Sequence, residues 1–146
     1  MSDLSQLLNE DKRPALVDDI ASYAEQVISE QSGIGGLAVK GGAGAAKKLD
    51  SNIFPKAVNR VLPDVLEEFQ PYWQEFQASG SGDFGAFTAE RSAQVADALL
   101  RVADKHATKV ENSALGKVYN SIRGRATKII EPAVGGLATT LQRHMV

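Results

Sequence analysis

Apolar positions along the chain recur at intervals of three and four residues, and the alternation expected of strands is nearly absent. Between Pro14 and Ser29, the side chains of Leu16, Val17, Ile20, Tyr23, Ala24, Val27 and Ile28 fall on one face. Asp18, Asp19, Glu25, Gln26 and Ser29 fall on the other. That division predicts an amphipathic helix with proline in its first turn, closed by Gly33. Upstream, Leu4, Leu7 and Leu8 form a short amphipathic turn.

Prolines recur at Pro55, Pro63 and Pro71. An interior proline removes a hydrogen bond and crowds the preceding turn, so this region predicts two or three short helices or one kinked helix, with a start at Pro63-Asp64. Residues from about 78 to 87 are rich in Gly and Ser and predict a loop joining two helical halves of a single domain spanning 1–146. Thr88 is placed to cap a helix reaching about Val110, with Val95, Leu99, Val102 and Val110 inward. Arg101, Lys105 and Lys109 form a basic stripe on this helix; Glu90, Asp97, Asp104 and Glu111 form an acidic one. Another helix follows from about Ser113 with Leu115, Val118, Tyr119, Ile122, Ala126, Ile129 and Ile130 inward, and Pro132 begins or kinks the last. The expected fold is an all-α bundle of six or seven helices.

One stretch breaks the pattern. Six glycines lie in the twelve residues from Gly33 to Gly44. Gly33-Ile-Gly35-Gly36-Leu-Ala38 satisfies the spacing of a dinucleotide-binding turn, but that motif needs a strand before it, and the preceding Ser29-Glu-Gln-Ser32 is polar and helical. Gly42-Ala43 stands where a phosphate-binding loop needs Lys and Ser or Thr. Read instead as a helix, the stretch aligns Ile34, Leu37, Gly41, Ala45 and Leu49, with Ala38, Gly42 and Ala46 beside them. Lys40, Lys47 and Lys48 project elsewhere. Five interior glycines cost roughly 4 to 5 kcal/mol relative to alanine, so this helix requires another element packed closely on its small residues, Gly41, Gly42 and Ala45. Gly35-Gly-Leu-Ala38 recurs as Gly135-Gly-Leu-Ala138, which is a coincidence, a pair of crossing helices or a relic of two related halves.

The net charge of −2 conceals a basic carboxy-terminal third, and the segment from Asp64 to Asp83 carries acids and no Lys or Arg. Such polarity steers an anionic partner or holds two parts of an assembly together. Cysteine is absent, which removes disulfides and thiolate chemistry and suits a reducing compartment; the expected location is cytoplasmic, without a membrane span. No cofactor or metal is expected, because neither His106 nor His144 has a helical ligand partner; His106 reads as a core residue and His144 as exposed.

Phe69, Tyr72, Trp73 and Phe76 share a helix face; core packing explains them, and Phe69, Trp73 and Phe76 are also the candidate partner or ligand surface. Arg101, Lys105, Lys109, Lys117, Arg125 and Lys128 are candidate polyanion contacts, although interleaved acids weaken that reading. Asn52-Ile-Phe-Pro-Lys-Ala-Val-Asn-Arg-Val-Leu-Pro63 and Lys117-Val-Tyr-Asn-Ser-Ile-Arg-Gly-Arg-Ala126 resemble an uncharacterised family of small all-helical actinobacterial proteins. The resemblance implies no activity, cofactor or catalytic residue. The expected function is therefore a non-catalytic protein-interaction domain whose partner includes a second copy of itself. Weak nucleic-acid or polyanion binding through the basic end is the alternative, and a ligand or catalytic site near Trp73 or His106 the third.

Overall fold

The computed structural model describes residues 3–109 and 113–145. Among them are a short 3-10 turn and seven α-helices: α1 Arg13–Ser29, α2 Gly33–Leu49, α3 Ile53–Ser79, α4 Phe84–Ala89, α5 Ser92–Ala107, α6 Ser113–Arg123 and α7 Ala126–His144. The expected Val110 and Glu111 positions, and the side chain of Leu115, lie outside the described residues.

The turn Leu4–Leu8 is capped by Asp3, whose carboxylate accepts from the Ser5 amide at 2.8 Å. Leu4 and Leu7 are wholly buried, and the Leu4 amide is fixed on the Gln70 side chain of α3 at 2.9 Å. Pro14 sits in the first turn of α1, where its missing N–H breaks no helical bond.

The proline-spaced region forms one helix of 27 residues rather than several short ones. Pro63 leaves the carbonyl four residues earlier without its helical donor. That carbonyl belongs to Asn59, and Arg13 of α1 takes it at 2.8 Å while also bonding the Asn59 side chain at 2.7 Å. Pro63 and Pro71 are both exposed.

The loop between the two halves contracts to residues 80–83, because α3 runs on to Ser79 and a separate helix, α4, starts at Phe84. Gly80 ends α3 in the left-handed region at φ 75°, a conformation that glycine adopts without strain. Asp83 caps α4 by accepting from the Ala86 amide at 3.1 Å, and Gln142 of α7 pins the loop from both sides through Phe84 N and Gly82 O. Thr88 is correspondingly not a cap. It is buried inside α4, and its hydroxyl donates back to the Phe84 and Gly85 carbonyls at 3.0 and 3.1 Å. The following helix starts at Ser92. The last two helices part at Gly124-Arg125 rather than at Pro132, which lies exposed within α7.

Phe69, Trp73 and Phe76 are core and not surface, which corrects their candidacy as a partner surface: they are 0, 5 and 5% exposed. Their common face on α3 closes on α4, where Phe84 meets the three rings at centroid distances of 6.1, 4.9 and 5.2 Å. Edge-to-face contacts of this kind add to the burial of the rings themselves.

Close backbone approach occurs where the sequence did not place it. A β-carbon on Gly85 of α4 would lie 2.8 Å from the Gly135 carbonyl of α7 and would overlap the Thr139 hydroxyl. One residue on, a β-carbon at Gly136 would overlap the Tyr23 hydroxyl of α1. The two Gly-Gly-Leu-Ala segments therefore have different neighbours: Gly135 and Gly136 meet α4 and α1, whereas Gly35 and Gly36 meet the Arg125 guanidinium and the Gln31 backbone.

The glycine-rich stretch is a helix, but its buried face is rotated from the expected one. Gly35, Gly36, Val39, Ala43 and Ala46 are buried, with α6 as the main neighbour. Gly41 and Ala45 are exposed, Gly42 is half-buried, and a β-carbon on Gly41 would meet nothing within 4 Å. Close helix packing within the chain therefore does not run through Gly41 or Ala45. The small face admits α6, and the larger Ile34, Leu37 and Leu49 are left in solvent at 89, 70 and 50% exposure.

This geometry separates two classes of glycine. Gly41→Ala, at an open helical position, is expected to raise stability by about 0.5–1 kcal/mol. Gly85→Ala is expected to lower it by about 1–3 kcal/mol through overpacking against α7. Urea denaturation of both variants measures the difference, and a reversed order would refute the assigned contacts.

Candidate functional site

Helices α1, α3, α5 and α7 do not fill the space between them. They enclose a chamber of about 310 Å³. Its floor is Leu62, Leu99 and Val134, buried to 1, 9 and 0% exposure. Its walls are half-buried residues from three helices: Ile20, Ala24 and Val27 of α1, Val58 and Val65 of α3, and Ile130, Ala133 and Leu137 of α7, among others. Half-burial of the walls leaves the chamber open to solvent on one side. The apolar face read for α1 supplies one wall, so the same helical spacing that builds the core also builds the site.

The chamber presents no polar surface. Among the described wall residues Tyr23 alone has a polar side chain, and its hydroxyl is committed to the Ala133 carbonyl at 3.1 Å. Burial pushes that hydroxyl above its usual range, and the nearby charge of Glu30 adds to the effect. Among the described residues the rest of the wall is aliphatic, a surface that holds apolar groups by the hydrophobic effect. No group of residues suited to hold a metal is found among the described residues.

The expected site residues fall elsewhere. Trp73 lies in the aromatic core, and its Nε1 is buried with no partner among the described residues. His106 is half-buried on α5, with Nε2 2.7 Å from Asp64 of α3. His106, followed by Lys105 at 3.2 Å, holds the Asp64 carboxyl below its ordinary value. His144 is half-buried rather than exposed and lies 2.6 Å from Asp19.

The six candidate polyanion contacts divide. On α5, Lys105 is paired with Asp64, and Arg101 lines a groove shared with Glu68, Glu75 and Asp97. Lys117, Arg125 and Lys128 lie on α6 and the start of α7, all exposed. Lys109 is exposed at the end of α5.

A second polar cluster went unnoticed in the sequence. Asp104 of α5 receives both arms of the Arg123 guanidinium, at 2.8 and 2.9 Å, and the Tyr119 hydroxyl. The Arg123 bonds, then the Tyr119 bond, bring the Asp104 carboxyl from 3.8 down to about 2. Burial, with the adjacent Asp104, pushes Tyr119 up to about 12. The cluster ties α6 to α5. Asp104 belongs to the acidic stripe visible in the sequence, but Arg123 lies 19 residues away in a different helix, and periodicity carries no signal for that pairing.

The chain belongs to a family of unknown function (DUF6918), whose model matches residues 4–145. No curated protein and no solved structure matches it. No described helix is long and apolar enough to cross a membrane.

The Asp104 tie has a definite pH dependence. Its folded carboxyl titrates below the unfolded one, so its contribution is complete above 3.8 and is lost as the pH falls through about 2. At neutral pH, Asp104→Ala is expected to lower amide protection in α6 while leaving α4 and the amino-terminal part of α5 unchanged, as read by hydrogen exchange. Unaltered protection in α6 would show that the cluster does not hold it.

Proposed function

We propose that the chain is a non-catalytic binding protein whose chamber takes an aliphatic or otherwise apolar ligand. The observation that carries this reading is the chamber itself: about 310 Å³ with no polar surface. Ligand pockets occupy about 300–1,000 Å³ and are lined mainly by apolar side chains. Water gains few hydrogen bonds on such walls, so an apolar occupant displaces little of value and removes its own surface from water. Selectivity would come from length and shape, since the Tyr23 hydroxyl is committed to the Ala133 carbonyl and the other described wall residues are apolar.

A cytoplasmic setting is part of this proposal and rests on the cysteine-free composition. Self-association through α2, the partner expected from the sequence, meets an electrostatic objection. The exposed Ile34, Leu37 and Leu49 share their helix with Lys40, Lys47 and Lys48, so a two-fold contact through this face would bring like charges together.

Uptake of N-phenyl-1-naphthylamine, followed by fluorescence and displaced by medium-chain fatty acids, tests the proposal. Saturable binding is expected in the native chain, and Ala133→Trp and Ala24→Trp, which fill the chamber from α7 and α1, should each reduce affinity at least about tenfold. Native-like binding in both variants, with folding intact by circular dichroism, would refute it.

A further inference from the structure

Helices α2 and α6 pack mainly on each other and differ from the rest of the molecule in charge. Residues 33–49 and 113–128, the latter running from α6 into the first turn of α7, contain Lys40, Lys47, Lys48, Lys117, Arg123, Arg125 and Lys128, and no Asp or Glu. Two of these cations are neutralised from outside the pair: Lys47 by Glu25 of α1 and Arg123 by Asp104 of α5. The other five are exposed, and none is in an ion pair among the described residues.

The same pair carries the large exposed apolar side chains. Ile34, Leu37 and Leu49 line the outer face of α2, with Ala38, Gly41 and Ala45 between them. At 100° per residue Ile34, Gly41 and Ala45 lie opposite the buried Val39 and Ala43, while Lys48 stands within the ridge and Lys40 at its edge. Arg125 lies over Gly35 and adds a cation at the amino-terminal end. A ridge of Ile and Leu bordered by unpaired cations is the pattern of a helix that lies flat in the interface of an anionic bilayer, its apolar side among the acyl chains and its ammonium groups at the headgroups.

The rest of the chain orients that face. α3 departs from the α2 end and runs for 27 residues, about 40 Å, with Glu67, Glu68 and Glu75 along its farther half. An anionic surface therefore attracts the α2–α6 end and repels the far one. A second copy of the chain fits less well. Face-to-face contact pairs lysines with lysines, and contact with the acidic part of α3 sets Ile34 and Leu37 against carboxylates. We propose that α2 and α6 form a docking face for an anionic lipid surface. This stands independently of whether the chamber takes a ligand.

Co-sedimentation of the full chain with vesicles tests it, comparing phosphatidylcholine alone with an equimolar mixture of phosphatidylcholine and phosphatidylglycerol. Binding is expected to the mixed vesicles only, to weaken as salt is raised, and to fall at least about tenfold for Ile34→Ser combined with Leu37→Ser and for Lys40→Glu combined with Lys48→Glu. All four residues are exposed, and circular dichroism confirms that the variants remain folded. Ala133→Trp should bind these vesicles as the native chain does, which separates failure of the chamber from failure of the docking face. Absence of binding to the mixed vesicles, equal binding to both kinds, or full binding by the Ile34/Leu37 variant would overturn the proposal; the last would mark a plain polyanion contact. Light scattering that finds a dimer dissolved by the Ile34/Leu37 variant would assign the face to a second copy and overturn it as well.

Discussion

Adjacent glycines on α7 set how near its neighbours can come. Gly135 turns bare backbone toward Gly85 of α4, and Gly136 leaves room for the Tyr23 ring of α1. Much of the fold follows from these two contacts. With α4 held against α7, Phe84 reaches the row formed by Phe69, Trp73 and Phe76, and the Gln142 side chain can clamp both ends of the turn before α4. With α1 held against α7, the Tyr23 hydroxyl reaches the Ala133 carbonyl, and the seam between the two helices becomes one wall of the chamber. Any side chain at 85 or 136 would have to displace backbone or an aromatic ring in a closely packed interior.

The helices were legible where apolar spacing persists over several turns, as in α1 and the central part of α5, because burial of one continuous face dominates local preference there. Boundaries were less so, for identifiable reasons. Thr88 has a hydroxyl equally able to cap a helix or to bond back within one, and burial against α7 decides between them. Pro63 would break an isolated helix, but Arg13, distant in sequence, supplies the donor that the exposed Asn59 carbonyl lacks.

The glycine-rich helix shows a different limit. A wheel drawn on hydrophobicity turns Ile34 and Leu37 inward, whereas the space beside α6 admits only glycine, alanine and one valine, so the smallest face is buried and the most apolar side chains are not. Nor could the chamber be read in advance. Each of its wall residues carries the signal of an ordinary core position, and a cavity is the volume left when four helices have been spaced by contacts elsewhere.

That spacing gives Gly136 a second role. Tyr23 both closes the seam between α1 and α7 and bounds the chamber, and its position is fixed by the bare backbone it rests on. The calibre of the chamber is thus written at a residue outside its lining. A methyl group there would act as a shim, pushing the Tyr23 ring off its seat and loosening the bond that closes the seam.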